Sequence, residues 1–329
     1  MSMSTTRTGR ERGARASAGP RLGACERPWI PPWVAIGIGV VAVSFASVFV
    51  RLSSAPPLVI ATWRMGLATL MLAPFALVGA RHEVLAMRRT DFVLSLFAGG
   101  FLAVHFGAWM TSLSLTSVAS SAVLVETHPL FVMLASRIIF GERTSGWAVA
   151  GAVSAVAGSA VIGLGDSVGG GSVLLGDLLA VLSALMFACY ALVGRGVRQR
   201  LSVVPYAFVA YGTCTVILAL TCAVRGLRLH PYPVRDYMLF LALAAVPTIL
   251  GHTVFNWALR YVSASVISVS VLGEPVGATL LAMTLLKETP PATAVAGGAL
   301  VVSGIAVFTL FSARAGGKAR PAAAHGGTG

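Results

Sequence analysis

Two ionisable residues, His128 and Glu274, each stand immediately before a proline, Pro129 and Pro275. Histidine titrates near neutral pH, and a carboxylate removed from water is easier to protonate. A proline inside a helix removes one N–H donor and leaves a backbone carbonyl free. The chemistry that suits this pattern is solute binding and proton exchange. The plainer alternative is a static buried pair, or a packing contact at a proline kink. Ser117 and Ser121 lead to His128 at spacings of four and seven, and Ser263 and Ser270 lead to Glu274 likewise. Such spacings keep residues on one side of a helix.

Other polar residues occur where the chain is otherwise apolar. Glu126 lies two positions from His128, about 200 degrees around a helix, so it points elsewhere and reads as a bond to another helix such as that of Arg64. Arg64 itself suits a structural contact, an anionic solute, or a side chain that reaches outward to the surface. His105 and Trp109 are one turn apart, as are His252 and Asn256. These four can supply hydrogen bonds and an aromatic wall, or can simply pack. Trp63 suits an interfacial anchor or a wall position.

Patterns for other chemistries are missing. The sequence has no GxxxxGK[ST] for ATP and no HExxH for a metalloprotease. Cys25, Cys189, Cys214 and Cys222 form no CxxC. No cofactor, no metal and no enzymatic activity are expected. No repeated carbonyl-filter motif points to a selective channel.

The elements that position these residues follow from composition. The chain has 329 residues, 57% of them hydrophobic and only 11% charged, against about 25% charged in a usual soluble domain. Lipid is the solvent for which such an outer surface is correct. The net charge of +13 lies mostly in short gaps between apolar runs. That pattern keeps a cytoplasmic side, so nucleic acid is not an expected partner. The predicted fold is an all-α polytopic membrane protein of ten transmembrane helices, at roughly 33–50, 58–79, 92–112, 117–139, 147–165, 173–193, 203–224, 237–258, 262–286 and 292–311. Residues 1–32 read as a disordered basic cytoplasmic tail, 166–172 as a linker and 312–329 as a second cytoplasmic tail. With both termini inside, eighteen Lys and Arg fall on inner segments and five on outer ones, with Arg64 within a span. The basic stretch Arg225–Arg235, assigned outside, is the exception.

The ten-helix count is tied to an internal repeat. Residues 113–161 align without a gap on 259–307, a shift of 146. Leu113/Leu259, Ser117/Ser263, Pro129/Pro275, Glu142/Glu288, Gly151/Gly297 and Gly158/Gly304 are identical pairs. In this register His128 pairs with Glu274, Phe106 with His252 and Met110 with Asn256. An odd number of spans per repeat turns the second copy over, so 33–165 and 173–311 are expected as two inverted five-helix repeats, as in many secondary transporters. The glycine pairs are expected to pack the fifth and tenth helices closely.

The motifs resemble the EamA family of the drug/metabolite transporter superfamily. The matching elements are Trp63-Arg64, Leu115-Thr116-Ser117-Val118-Ala119, Pro129-Leu130-Phe131 and Phe140-Gly141-Glu142-Arg143. The second half repeats the set as Ala258-Leu259-Arg260-Tyr261, Leu272-Gly273-Glu274-Pro275 and Leu286-Lys287-Glu288, with Gly176-Asp177 before the sixth helix. The resemblance covers roughly residues 33–311 and implies a ten-helix transporter without an ATPase domain, moving metabolites, amino acids or drugs, often outward. It also implies that helices one to four and six to nine line a central cavity, while five and ten support the scaffold. Lys287 stands where the family usually has glycine. The resulting expectation is a multi-pass plasma-membrane secondary transporter working by alternating access, an exporter of small metabolites or amino acids with proton coupling. An uptake permease, a membrane enzyme and an assembly protein stay open as alternatives. Its expected partners are a small-molecule solute and membrane lipid, with a homodimer left open.

Overall fold

The computed structural model describes residues 28–112, 115, 121, 124–142, 144–163, 173–285, 287 and 292–317. Most of the basic start, the linker 166–172, Ser117, Glu288 and the chain end from 318 lie outside the described residues. Every regular element among the described residues is helical: α1 (Pro32–Leu52), α2 (Pro57–Pro74), α3 (Arg81–Leu85), α4 (Arg89–Ser112), α5 (His128–Phe140), α6 (Gly146–Gly163), α7 (Val173–Val197), α8 (Val203–Val224), α9 (Val234–Leu243), α10 (Val254–Ala258), α11 (Ala264–Val271), α12 (Glu274–Leu285) and α13 (Ala292–Gly317). Wide π-helical turns over Phe75–Gly79 extend α2, and others over Ala244–Thr253 join α9 to α10.

Among the described residues, eight helical stretches are long and apolar enough to cross a membrane. Two shorter apolar helices, His128–Phe140 and Gly146–Val161, fall where the fourth and fifth predicted spans end and begin. Large apolar residues face outward, among them Leu70, Ile138, Leu174, Val216 and Leu220. Polar side chains such as Arg64, His128, Ser183 and Asn256 are buried. This arrangement suits hydrocarbon around the bundle.

The repeat shapes the packing. Thr69 and Thr215 are equivalents at the 146-residue shift, and their hydroxyls lie 3.5 Å apart where α2 crosses α8. Gly66 faces Thr215 and its equivalent Gly212 faces Thr69, so numbering rises along one helix as it falls along the other. The same reciprocity holds at α6 and α13. Gly151 lies against Gly304 and Phe308, and Gly158 against Gly297 and Val301. Both copies of each of these elements therefore run antiparallel. The close glycine packing predicted for the fifth and tenth helices is present. Around this frame α4 packs on α7 and α8, while its counterpart, the α9–α10 stretch, packs on α1 and α2.

Polar ties hold the ends. At one end Arg200 donates to Asp91 at 2.8 and 3.2 Å, and the Ser202 amide donates to Glu83 at 3.2 Å. Glu142 stands 4.0 Å from Arg195 near that end; burial pushes its carboxyl above the usual range, and Arg195 opposes the shift. At the other end buried Asp236 accepts from the Ser53 and Ser54 hydroxyls at 2.7 and 2.6 Å and from the Ser54 amide at 3.0 Å. Trp63 Nε1 donates to the Leu229 carbonyl there, at 2.9 Å. Asp236 at the start of α9 thus ties to the α1–α2 connection, and Leu229 of the Arg225–Arg235 stretch holds Trp63 of α2. Trp63 packs on Tyr237 and Phe240.

A Cβ added at Gly151 would lie 2.6 Å from the Phe308 amide nitrogen and 2.7 Å from the Gly304 carbonyl, whereas one at Gly37 meets nothing. Gly151→Leu should destabilise the fold by about 1–3 kcal/mol or more through overpacking, and Gly37→Ala should leave it unchanged. Thermal unfolding of the purified variants in detergent checks both.

Candidate functional site

The interior polar residues gather where prolines interrupt helices. The predicted helix 262–286 is in fact two: α11 ends at Val271, a turn at Leu272 and Gly273 follows, and α12 starts at Glu274. Pro275 cannot donate to the Val271 carbonyl four residues back, and the chain tightens through the Leu272 and Gly273 amides, which donate to Val269 and Ser270. The first repeat does the same. A turn at Glu126 and Thr127 precedes α5, whose first residue is His128. His128 and Glu274 therefore share one structural position, the opening residue of a half-helix, where partial positive charge gathers. The Val125 carbonyl, which Pro129 leaves free, takes a hydrogen bond from His128 Nδ1 at 3.1 Å. Nε2 of the same ring is buried without a hydrogen-bond partner.

The predicted helix 237–258 is likewise modified. Pro247 removes the donor for the Leu243 carbonyl, and the Thr248 hydroxyl replaces it at 2.9 Å within the π-helical turns. Such turns often mark functional positions. Thr248 Oγ1 also accepts from Arg64 Nε at 2.7 Å, and the guanidinium lies over the Phe106 ring at 5.0 Å. At 3% exposure Arg64 does not reach outward to the surface, because these partners hold it inside. The bond expected from Glu126 to the Arg64 helix is not made by Glu126 Oε2, which is buried without a partner.

A second group is aromatic. Phe187 on α7 contacts His128 at 4.6 Å between ring centres, His105 at 5.2 Å, Tyr190 at 6.1 Å and His252 at 6.4 Å. His105 stacks on Trp109, and its Nδ1 lies 2.9 Å from the Ser183 hydroxyl. Phe106 and His252, equivalents in the two repeats, meet edge to face at 6.4 Å. Asn256, 1% exposed, donates to the Tyr190 and Tyr211 hydroxyls at 2.6 and 3.2 Å, and Tyr211 shares a 3.1 Å hydrogen bond with Thr253. His105, His128 and His252 thus gather around Phe187, with Trp109 stacked on His105. Arg64 joins them through Phe106, whose ring also meets His105 and His252. Asn256 is committed to two tyrosines.

Sequence reasoning missed Phe187, Tyr190, Tyr211, Ser183 and Thr248. For three of them a signal existed: Ser183, Phe187 and Tyr190 are four and three apart, one side of an otherwise apolar helix. Thr248 had none, because its role depends on the π-helical turns. Thr248→Val should leave a buried guanidinium without its acceptor, costing about 1.5–3 kcal/mol, with Thr248→Ser close to the parent. Thermal unfolding in detergent measures the difference.

A sequence model of the EamA-like transporter family matches residues 32–164 and again 174–310. The chain is 28% identical over 213 residues to a probable terminal-alkyne amino-acid exporter of Streptantibioticus cattleyicolor, covering 63% of this chain and 68% of the relative. It is 24% identical over 278 residues to an uncharacterized transporter of Archaeoglobus fulgidus, covering 83% of this chain and 94% of that one. A solved crystal structure, 22% identical, superposes with a TM-score of 0.72 over 86% of this chain and 98% of its own, and so shares the fold. With both halves matched by one family, this multi-pass membrane protein belongs to the EamA-like transporter family.

Proposed function

We propose that the chain is a secondary active transporter of ten spans, built as inverted repeats over 33–165 and 173–311, with both termini in the cytoplasm and the plasma membrane as its site. In this reading it exports a small metabolite or amino acid by alternating access, in exchange for protons. The observation that carries the proposal is the reciprocal pairing of equivalents, Thr69 with Thr215 and Gly151 with Gly304, around an interior where both half-helices open on an ionisable residue. Two copies that run antiparallel suit a pseudo-twofold axis in the membrane plane, and exchanging their conformations opens the opposite side.

The solute class follows from the charges and rings. A guanidinium, carboxylates and an aromatic group within one interior suit a zwitterion with an apolar side chain. The exporter of S. cattleyicolor, named for a terminal-alkyne amino acid, brings that class into the test. Arg64, His105, Trp109, His128, His252, Asn256 and Glu274 are the proposed solute- and proton-binding residues. Glu274 is the proposed proton carrier, and His128 its counterpart at the other half-helix.

Proteoliposomes loaded with propargylglycine should release it several-fold faster with acid outside than with no gradient, and without ATP. Glu274→Gln should lose that dependence on the gradient. A variant with the parent's rate and pH profile would remove Glu274 from proton handling, and chain ends mapped to opposite compartments would remove the inverted repeat.

A further inference from the structure

We propose that Asp91 and Asp236 are equivalent latches that hold the two ends of the bundle shut in turn. Only the Asp91 latch yields to salt, so ionic strength biases which end opens. Resting on the alternating-access reading above, this adds what closes each end.

The two ties occupy matching places in the two repeats. Ser53 and Ser54, just past α1, stand at the 146-residue shift opposite Gln199 and Arg200, just past α7. Asp91 and Asp236 each lie in the first turn of a helix, α4 and α9, and each precedes an aromatic residue, Phe92 or Tyr237. Their shift is 145, one less than that of Phe106 and His252, so the second half holds one extra residue between them. The widened turns over Ala244–Thr253 lie in that interval, and a π-helical turn spans one residue more than an α-helical one. The packing repeats too, with α7 on α4 and α1 on the α9–α10 stretch.

Each tie crosses between the halves. The end of α1 in the first repeat bonds Asp236 of the second, and the turn after α7 in the second bonds Asp91 of the first. A link of this kind has to break before the halves can part at that end. The bonds themselves differ. Asp236, 2% exposed, accepts only from neutral groups, two hydroxyls and an amide. Asp91, 4% exposed, accepts from the Arg200 guanidinium, whose side chain is 46% exposed. Salt screens such an exposed charge and leaves hydroxyl and amide bonds to a buried carboxylate in place. Both latches are made in this structure. Weakening one raises the population open at its own end, and because the halves exchange conformations it lowers the population open at the other. A tie that merely fastened a connection would loosen its own end alone.

Hydrogen–deuterium exchange of backbone amides in the solute-free full chain, held in lipid nanodiscs, reads both ends at once. Raising salt from about 20 mM to about 1 M should speed exchange several-fold over residues 87–92 and 199–205 while slowing it over 53–58 and 228–236. Arg200→Gln at low salt should reproduce that pattern and abolish the salt response, and Arg200→Lys should keep the parent's behaviour. Ser53→Ala with Ser54→Ala should give the reverse pattern with the salt response retained. Faster exchange at the altered end with the far end unchanged overturns the latches and leaves the transport reading standing. No response to either salt or Arg200→Gln overturns the salt-biased latch in the same way. The salt series needs no substitution, so a variant that fails to fold does not remove the test. If the reciprocal pattern appears while proteoliposomes move no propargylglycine, the solute class fails and the latches stand.

Discussion

The interior of this bundle depends on what happens to backbone carbonyls that proline deprives of a donor. In hydrocarbon no water replaces the lost bond, so the protein itself has to supply one. At Val125 the supply is the His128 ring, and at Leu243 it is the Thr248 hydroxyl. Each solution draws a polar side chain into the middle of the bundle. Thr248 then accepts from Arg64, which could not otherwise be held inside without a large desolvation cost. The hydroxyl that bonds the Leu243 carbonyl is thus also the acceptor for the buried guanidinium.

Symmetry and its violation divide the labour. The frame is symmetric: Thr69 meets Thr215, Phe106 meets His252, and glycine faces glycine between α6 and α13. The chemistry is not. Arg64 has Ala210 as its equivalent, Glu274 has His128, and Glu126 has Leu272. Two related halves therefore surround an interior whose ionisable residues do not repeat. The ends differ as well. An Arg200–Asp91 ion pair holds one, and serine hydroxyls on buried Asp236 hold the other. Arg200 is half exposed to solvent, so its pair is screened in a way that the Asp236 bonds are not.

Membrane residence was legible in the sequence, because 57% hydrophobic residues arranged in runs of helical length leave no other solvent for the surface. The duplication was legible too, since Pro129/Pro275 and the glycine pairs hold their register across 146 residues. That register fixed the shared position of His128 and Glu274 before any coordinate. Three-dimensional structure alone decided what these residues touch. Sequence spacing predicts the face of an unbroken helix, but α11 and α12 are separate, and the α9–α10 stretch is widened by π-helical turns. Past such an interruption the 100-degree step per residue no longer holds, so the Thr248–Arg64 bond and the orphaned Glu126 oxygen were beyond periodicity. Phe187 became the centre of the aromatic group for a related reason. Its neighbours come from α4, α5 and the α9–α10 stretch, and only packing brings three distant segments to one ring.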